Sequence, residues 1–334
     1  MLDWLRLFRV SGFCTLASNL LAAISVAVYS KGLDYRLLGQ ELYRNRDAAL
    51  WVVLAAVLLF AAGMAWNDIA DVDRDRRLNP RRPLPSGRIG LPSAVVVASL
   101  AAVGALLAGS QLGMRGFCMS GIILSLSLLY NFVTKHIPYA GSLTMALVRA
   151  NFALFCLLLL EPAYFDRTLQ TVLDSVGLLN RSFVEVQPVY PLLLGLYVGG
   201  VTVISELETR RGRRLELLIG GALVTLAVAA AVVLVVRAHW VLQLMREGKI
   251  LLMVVAIVLQ VALAGWILYR IGRPLVRAVR EARRDLVPPV LVAGLTGIVL
   301  FDGLIACAFH PLLGLAAVAL YLPFKLLALM IRMD

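Results

Sequence analysis

"WNDIADVDRDRRLNPRRPLPSG", residues 66–87, closes an apolar run and places four aspartates and five arginines between positions 68 and 82. The preceding stretch, AALWVVLAAVLLFAAGMAW (48–66), carries only its own apolar side chains. At about 1.5 Å of rise per residue it is long enough to cross a bilayer core of about 30 Å. The carboxylates therefore stand where a span meets water. If the helix continues through Asp75, about 100° per residue puts Asp68, Asp71 and Asp75 near 0°, 300° and 340°, on one narrow face, with Asp73 near 140° and pointing away.

The rest of the chain fits a membrane setting. Of its 334 residues 61% are hydrophobic, and the mean hydropathy is +0.87; soluble domains are about 45–50% apolar. Ten spans are expected, at 11–30, 48–66, 92–110, 116–134, 141–160, 188–205, 217–236, 249–269, 287–308 and 311–331. The first is too long and too many spans follow it for a cleaved signal peptide. Only His310-Pro311 parts the last two, which leaves a tight hairpin or one bent segment open. The fold expected is an all-α polytopic helix bundle, one transmembrane domain over residues 1–334, since the longest loop, 161–187, is too short to be a domain.

Charge sets the orientation. The loops 67–91, 206–216 and 270–286 hold most of the arginines, and they share one side if the N-terminus is cytoplasmic. Both termini are then expected in the cytoplasm, in a bacterial cytoplasmic membrane. The net charge of +12 is accounted for by this bias and by anionic lipid headgroups, and no nucleic-acid partner is expected. Cys14, Cys118, Cys156 and Cys307 all fall in apolar spans and read as small hydrophobes rather than disulfide partners. His136, His239 and His310 have no companion at ligand spacing, so no zinc site is expected. "PLVRAVREARRD" (274–285) is basic and amphipathic and is expected to lie on the membrane surface.

Three carboxylates on one face repel, and a divalent cation removes that conflict. An all-oxygen set suits Mg²⁺, which is typically held by one or two carboxylates with water and substrate phosphate completing the shell. Arg76, Arg77, Arg81, Arg82 and Arg88 supply anion-binding groups beside it. A metal and arginines next to an apolar interior describe a site for a diphosphate with a hydrocarbon tail. The alternative is a solvated loop with surface ion pairs, which the confinement of aspartate to i, i+3 and i+7 disfavours.

Asn67-Asp68-x-x-Asp71-x-x-x-Asp75, followed by Arg82-Pro83-Leu84-Pro85-Ser86-Gly87, resembles the first signature of the UbiA superfamily of intramembrane prenyltransferases. "LLYNFVTKH" (128–136) is similar to the family's second cytoplasmic loop. The resemblance implies Asp68, Asp71 and Asp75 as Mg²⁺ ligands, Lys135 facing the diphosphate, and Asn67, Arg82 and Tyr130 at the substrate. Two departures stand out. Asn79 occupies the place of the family's first arginine, with Arg81 the nearest replacement. In the second signature, "VISELETRRGRR" (203–214), Glu208 aligns with the second aspartate and Ile204 takes the place of the first; Glu206 points about 200° from Glu208 on a helix. The Ile-Ser-x-x-Glu stretch, "GLTGIVLFDGLIACAF" and the Lys135-His136-x-Pro138…Met145-x-Leu147-x-Arg149 run resemble EboC-type UbiA-like proteins. That resemblance covers the whole chain and implies nine family spans plus an extra C-terminal one.

Ionisable residues inside a membrane are costly and mark function or pairing. Arg149 either lines a substrate chamber or anchors against Asp302, and for Asp302 both roles stand open. Asn19 either bonds an acceptor substrate or glues helices. The resemblance implies Mg²⁺-dependent transfer of a prenyl group from an allylic diphosphate to an aromatic ring or hydroxyl. The incomplete second signature keeps a non-catalytic prenyl-lipid binding or export role as the alternative.

Overall fold

The apolar runs fold into helices that end where glycine, proline or charge interrupts them. The computed structural model describes residues 2–30, 38–158, 189–208, 214–236, 248–281 and 284–331. In chain order the helices are α1 (Leu2–Leu7), α2 (Phe13–Ser30), α3 (Leu38–Arg44), α4 (Arg46–Ala70), α5 (Val72–Leu78), α6 (Leu91–Ser110), α7 (Gly113–Phe132) and α8 (Ala140–Leu157). They continue as α9 (Val189–Ser205), α10 (Arg214–Val236), α11 (Ile250–Glu281), α12 (Val287–Phe309), α13 (Pro311–Ala319) and α14 (Tyr321–Ile331). Among the described residues nine helices are long and apolar enough to cross a membrane, and α9 is a shorter apolar one. These match the ten expected segments, and the bundle is all-α.

Contacts run from α2 to α4, from α4 to α6 and α7, and then α7–α8–α9–α10–α11–α12 in sequence. Contacts of α12 with α2 close the circuit. Nearly every residue of α12 is buried, whereas Leu100 and Leu107 of α6 and Leu251, Val258 and Leu259 of α11 are exposed. Leucine facing outward is stable when the surroundings are lipid, so helix association rests on close packing rather than on the hydrophobic effect. The contact of α9 with α10 is built that way: a Cβ on Gly200 would stand 2.7 Å from the Gly220 carbonyl oxygen, and one on Gly220 2.6 Å from that of Gly200.

Two expectations are refined. Residues 287–331 form a hairpin, because Pro311 drives His310 into an extended conformation (φ −148°, ψ 97°) that stops α12. The His310 ring then accepts from the Leu313 amide at 3.3 Å and starts α13. The basic amphipathic segment is not a separate surface helix up to Glu281: it is the end of α11, 32 residues long with Pro274 inside it. One turn before Pro274, the Arg270 guanidinium lies over aromatic rings, 5.5 Å from Trp266 and 5.0 Å from Tyr321. The loop 161–187 and the arginines Arg210, Arg211 and Arg213 lie outside the described residues.

Several polar contacts between segments gather at the end of the bundle where α4 finishes. Arg9 reaches Asp68, Lys135 reaches Asp71, Tyr139 reaches Glu206 and Glu216, and Arg214 reaches the Arg280 carbonyl.

Candidate active site

The aspartate face forms on an almost unbroken helix. α4 ends at Ala70 and α5 begins at Val72, with Asp71 (φ −95°, ψ 2°) at the joint. The i→i−4 bonding pattern nonetheless runs through: the Asp71 amide donates to the Asn67 carbonyl at 3.0 Å, and the Asp75 amide to that of Asp71 at 2.8 Å. Asp68 and Asp75 are consequently turned inward, 7% and 3% exposed. Asp73 points out and, among the described residues, pairs with exposed Arg76 at 2.8 Å.

Each inward aspartate has its own cation, supplied by a different part of the chain. Arg9, just before α2, reaches Asp68 at 3.0 Å. Lys135, from the turn between α7 and α8, reaches Asp71 at 2.8 Å, with side chains only 9% and 12% exposed. Arg82 reaches Asp75 at 2.6 Å, and the Asn79 amide adds a 3.0 Å bond to the same carboxylate. Three carboxylates sharing a face thus avoid mutual repulsion through three separate ion pairs. The Lys135–Asp71 pair is shielded on both sides, and removing one partner of a buried pair leaves an uncompensated charge at a cost of about 3–5 kcal/mol.

The turn after α5 holds Arg82 in place. Ser86 and Gly87 amides fold back on the Arg82 and Leu84 carbonyls, with Gly87 in the left-handed region at φ 74°. Leu84 and Ile89 plug into a small core with Leu7, Ala65, Val72 and Ala98. The Pro-Leu-Pro-Ser-Gly run is therefore an anchor for the preceding arginine as well as a turn into α6. Asn131 of α7 donates to the Gly63 carbonyl of α4 at 3.2 Å, and Trp66 meets Phe132 edge-on at 5.9 Å, fixing the helix that leads to Lys135 against the one that leads through Asp68 to Asp71.

Of the other expected residues, Asn67 makes a long bond to Asp68 at 3.4 Å. Tyr130 is half-buried within electrostatic reach of Asp71, Arg9 and Glu206. The Arg81 side chain is exposed, and only its carbonyl is engaged, by Arg88. Ile204, in the place of a family aspartate, is buried. Glu208 closes a 3₁₀ turn with Glu206, and its side chain lies outside the described residues.

Below this cluster lies an aromatic layer and then a cavity. Phe60 sits two turns before Asp68, about 12 Å deeper at 1.5 Å per residue. Its ring packs on Phe13 at 5.2 Å, and the Arg149 guanidinium lies over it at 5.9 Å. Beyond them is an apolar cavity of about 330 Å³ lined by Phe13, Leu16, Leu20, Val57 and Cys156, among others.

Two intramembrane residues fall elsewhere. Asp302 is fully buried and accepts from Ser18 at 2.6 Å, from the Asn19 amide at 2.5 Å and from the Tyr190 hydroxyl at 3.1 Å. Asn19 is equally buried, so the structure gives it a helix-joining bond rather than a face on the cavity. Among the described residues Asp302 is not ion-paired to Arg149, because neutral donors from α2 and α9 occupy it.

Two site residues were invisible in the sequence. Arg9 was indistinguishable from the positive charge that any cytoplasmic N-terminus carries. Glu206 was set aside on its angle to Glu208, yet it accepts from the Ser142 hydroxyl at 2.7 Å and from the Tyr139 amide at 3.1 Å.

The donor set admits Mg²⁺ in one form. Among the described residues no group of three or more His, Cys, Asp or Glu converges on a metal position, and Asp75 is turned to Arg82 and Asn79. The expected three-aspartate ligand set is thus not assembled. Asp68 and Asp71, paired here with Arg9 and Lys135, offer the one or two carboxylates that Mg²⁺ takes when water and phosphate complete its shell.

Comparison with known proteins places the chain. Residues 37–284 match the model of the UbiA prenyltransferase family. Digeranylgeranylglyceryl phosphate synthase of Methanothrix thermoacetophila is 28% identical over 182 residues, 51% of this chain and 64% of that protein. Polyprenyl transferase ausN of Emericella nidulans is 44% identical over 52 residues, 15% of this chain and 16% of that protein. The chain thus spans less than two thirds of the length of these curated relatives. Among solved structures, the apo structure of a UbiA homolog from Aeropyrum pernix K1 has the same fold, with a TM-score of 0.51 at 20% identity, over 85% of this chain and 96% of that one. With a family match over most of its length, and that family's helix bundle around it, the chain belongs to the UbiA prenyltransferase family.

Proposed function

We propose that the protein is a Mg²⁺-dependent membrane prenyltransferase. It moves a prenyl group from an allylic diphosphate to an aromatic ring or hydroxyl on a small acceptor. The observation that carries this reading is the set of three inward aspartates, each matched to a cation, above an apolar cavity at one end of a membrane bundle. The arginine bias of the loops supports a cytoplasmic location for its open end.

Asp68 and Asp71 would hold the ion, with Glu208 across the chamber contributing through water and diphosphate oxygens. Bound there, Mg²⁺ supplies Lewis-acid neutralisation of the diphosphate as its charge grows. The chain's own cations act alongside. Arg9 and Lys135, which stand beside the Asp68 and Asp71 carboxylates, would bond diphosphate oxygens, and Arg82, held by its turn, would face the same anion; Tyr130 and Asn67 would add neutral donors. The allylic C1–O bond breaks with its electron pair leaving on the diphosphate, and these donors stabilise the charge that develops. Phe13 and Phe60 keep water from the cationic C1. The acceptor attacks C1 and loses its ring or hydroxyl proton to the departing diphosphate. Arg149, which lies deeper over the Phe60 ring, would hold the acceptor's polar end, and the hydrocarbon tail would occupy the apolar cavity.

A second reading has a specific observation in its favour. Ile204 and Glu206 are both committed to packing and helix contacts, so the far side of the chamber has fewer carboxylates than a two-metal site requires. The protein would then bind prenyl lipid without turning it over. Incubation with a labelled allylic diphosphate and a panel of phenolic and hydroxyl acceptors separates the two. Transfer of label is expected, with Arg149→Met losing about 100-fold or more of turnover while still binding the donor. Retention of the intact donor against every acceptor favours the binding role.

A further inference from the structure

We propose that Glu206 is a positioning residue: it clasps the start of α8 and thereby sets Lys135 against Asp71. The proposal rests on the prenyl-diphosphate reading of the aspartate face only for its consequence in binding. Both Glu206 oxygens lie 3.1 Å from the Tyr139 amide, and one accepts from the Ser142 hydroxyl at 2.7 Å. Tyr139 immediately precedes α8 in the left-handed region, φ 61°. A non-glycine residue there is strained and persists only where its surroundings hold it. A carboxylate on the first amides of a helix is a favourable holder, because those N–H groups lack partners and carry the positive end of the helix dipole.

The same turn carries Lys135. The Ile137 amide bonds the Thr134 carbonyl at 2.9 Å and the Gly141 amide bonds that of Ile137. A Cβ on Gly141 would stand 3.0 Å from the Lys135 Cα. The start of α8 is therefore packed directly on the lysine backbone, so a shift at Tyr139 is passed to Lys135. The Tyr139 hydroxyl reaches Glu216 of α10 at 3.4 Å, which ties a further segment to the same turn. Where the family's second signature supplies carboxylates for metal, this chain uses one carboxylate to fix the lysine of the opposite loop.

Two measurements on the full chain in nanodiscs decide it. Amide exchange over residues 134–142 is expected to be slow in the wild type and to accelerate about tenfold or more in Glu206→Gln, with a smaller rise in Ser142→Ala. Unchanged exchange in both variants overturns the clasp. The second measurement is the affinity for farnesyl thiodiphosphate with Mg²⁺. Removing a negative charge should by itself tighten an anion, so the expected loss of about tenfold in Glu206→Gln has the opposite sign to a bulk electrostatic effect. In a Lys135→Met background Glu206→Gln should add nothing. An equal loss in both backgrounds makes Glu206 merely structural and overturns the positioning role. Absence of thiodiphosphate binding in the wild type contradicts the prenyl-donor reading, while the exchange measurement still decides the clasp. If Glu206→Gln fails to fold, Ser142→Ala carries the same cycle.

Discussion

Asp68→Ala and Asp71→Ala are each expected to weaken Mg²⁺-dependent binding of an allylic diphosphate by about 100-fold or more, since even groups that only orient a metal ligand cost about 10–100-fold. Asp73→Ala should stay within about twofold, as an exposed surface pair contributes little. The contrast follows from the helical face: Asp68 and Asp71 point inward to Arg9 and Lys135, while Asp73 meets exposed Arg76. Asp75→Ala should fall between them, because it releases Arg82 without removing a carboxylate from the pair at Asp68 and Asp71. Titration calorimetry with farnesyl thiodiphosphate measures all four, and Asp71→Asn, which preserves shape, guards against misfolding. Equal losses at Asp71 and Asp73 would mean that the face seen in the structure does not bind the metal.

Asp302→Ala is expected to produce the largest loss of stability in the chain. It strips the acceptor from Ser18, Asn19 and Tyr190 at the centre of the bundle. Interhelical bonds of this kind are worth about 1–2 kcal/mol each at most, and stranded buried donors cost about 1–3 kcal/mol each. A total of roughly 3–5 kcal/mol is therefore expected, read as a fall in the thermal midpoint in detergent. Asp302→Asn should recover part of it, since its carbonyl still accepts. Thiodiphosphate affinity should be unchanged in whatever fraction of Asp302→Asn remains folded. Full stability with lost transfer activity would instead give Asp302 a role in the chamber.

What the sequence made legible, and what it hid, follows from the distance between partners. The aspartate face was readable because i, i+3 and i+7 lie on one strip of one helix, and the hydrogen bonds through Asp71 preserve that strip. The spans were readable because each is a long apolar run. Asn19 was open to two roles because its partner, Asp302, stands 283 positions away, and no local pattern reports such a contact. Glu206 was passed over for the same reason: its carboxylate serves a turn more than sixty positions earlier. Arg9 was hidden by abundance, as one basic residue among many at that membrane face. The end of α11 was misplaced because arginines and Pro274 look like a helix boundary, whereas a side chain as long as arginine can run back along the helix and keep its apolar stem covered.

The central claim, a prenyl diphosphate held by metal on Asp68 and Asp71, is tested most directly by titrating Mg²⁺ against farnesyl thiodiphosphate binding to the wild-type protein in nanodiscs. Saturable binding that grows with Mg²⁺, disappears on chelation and returns when the ion is restored is the predicted result. Binding that is indifferent to Mg²⁺, or no binding at any Mg²⁺ concentration, would contradict it.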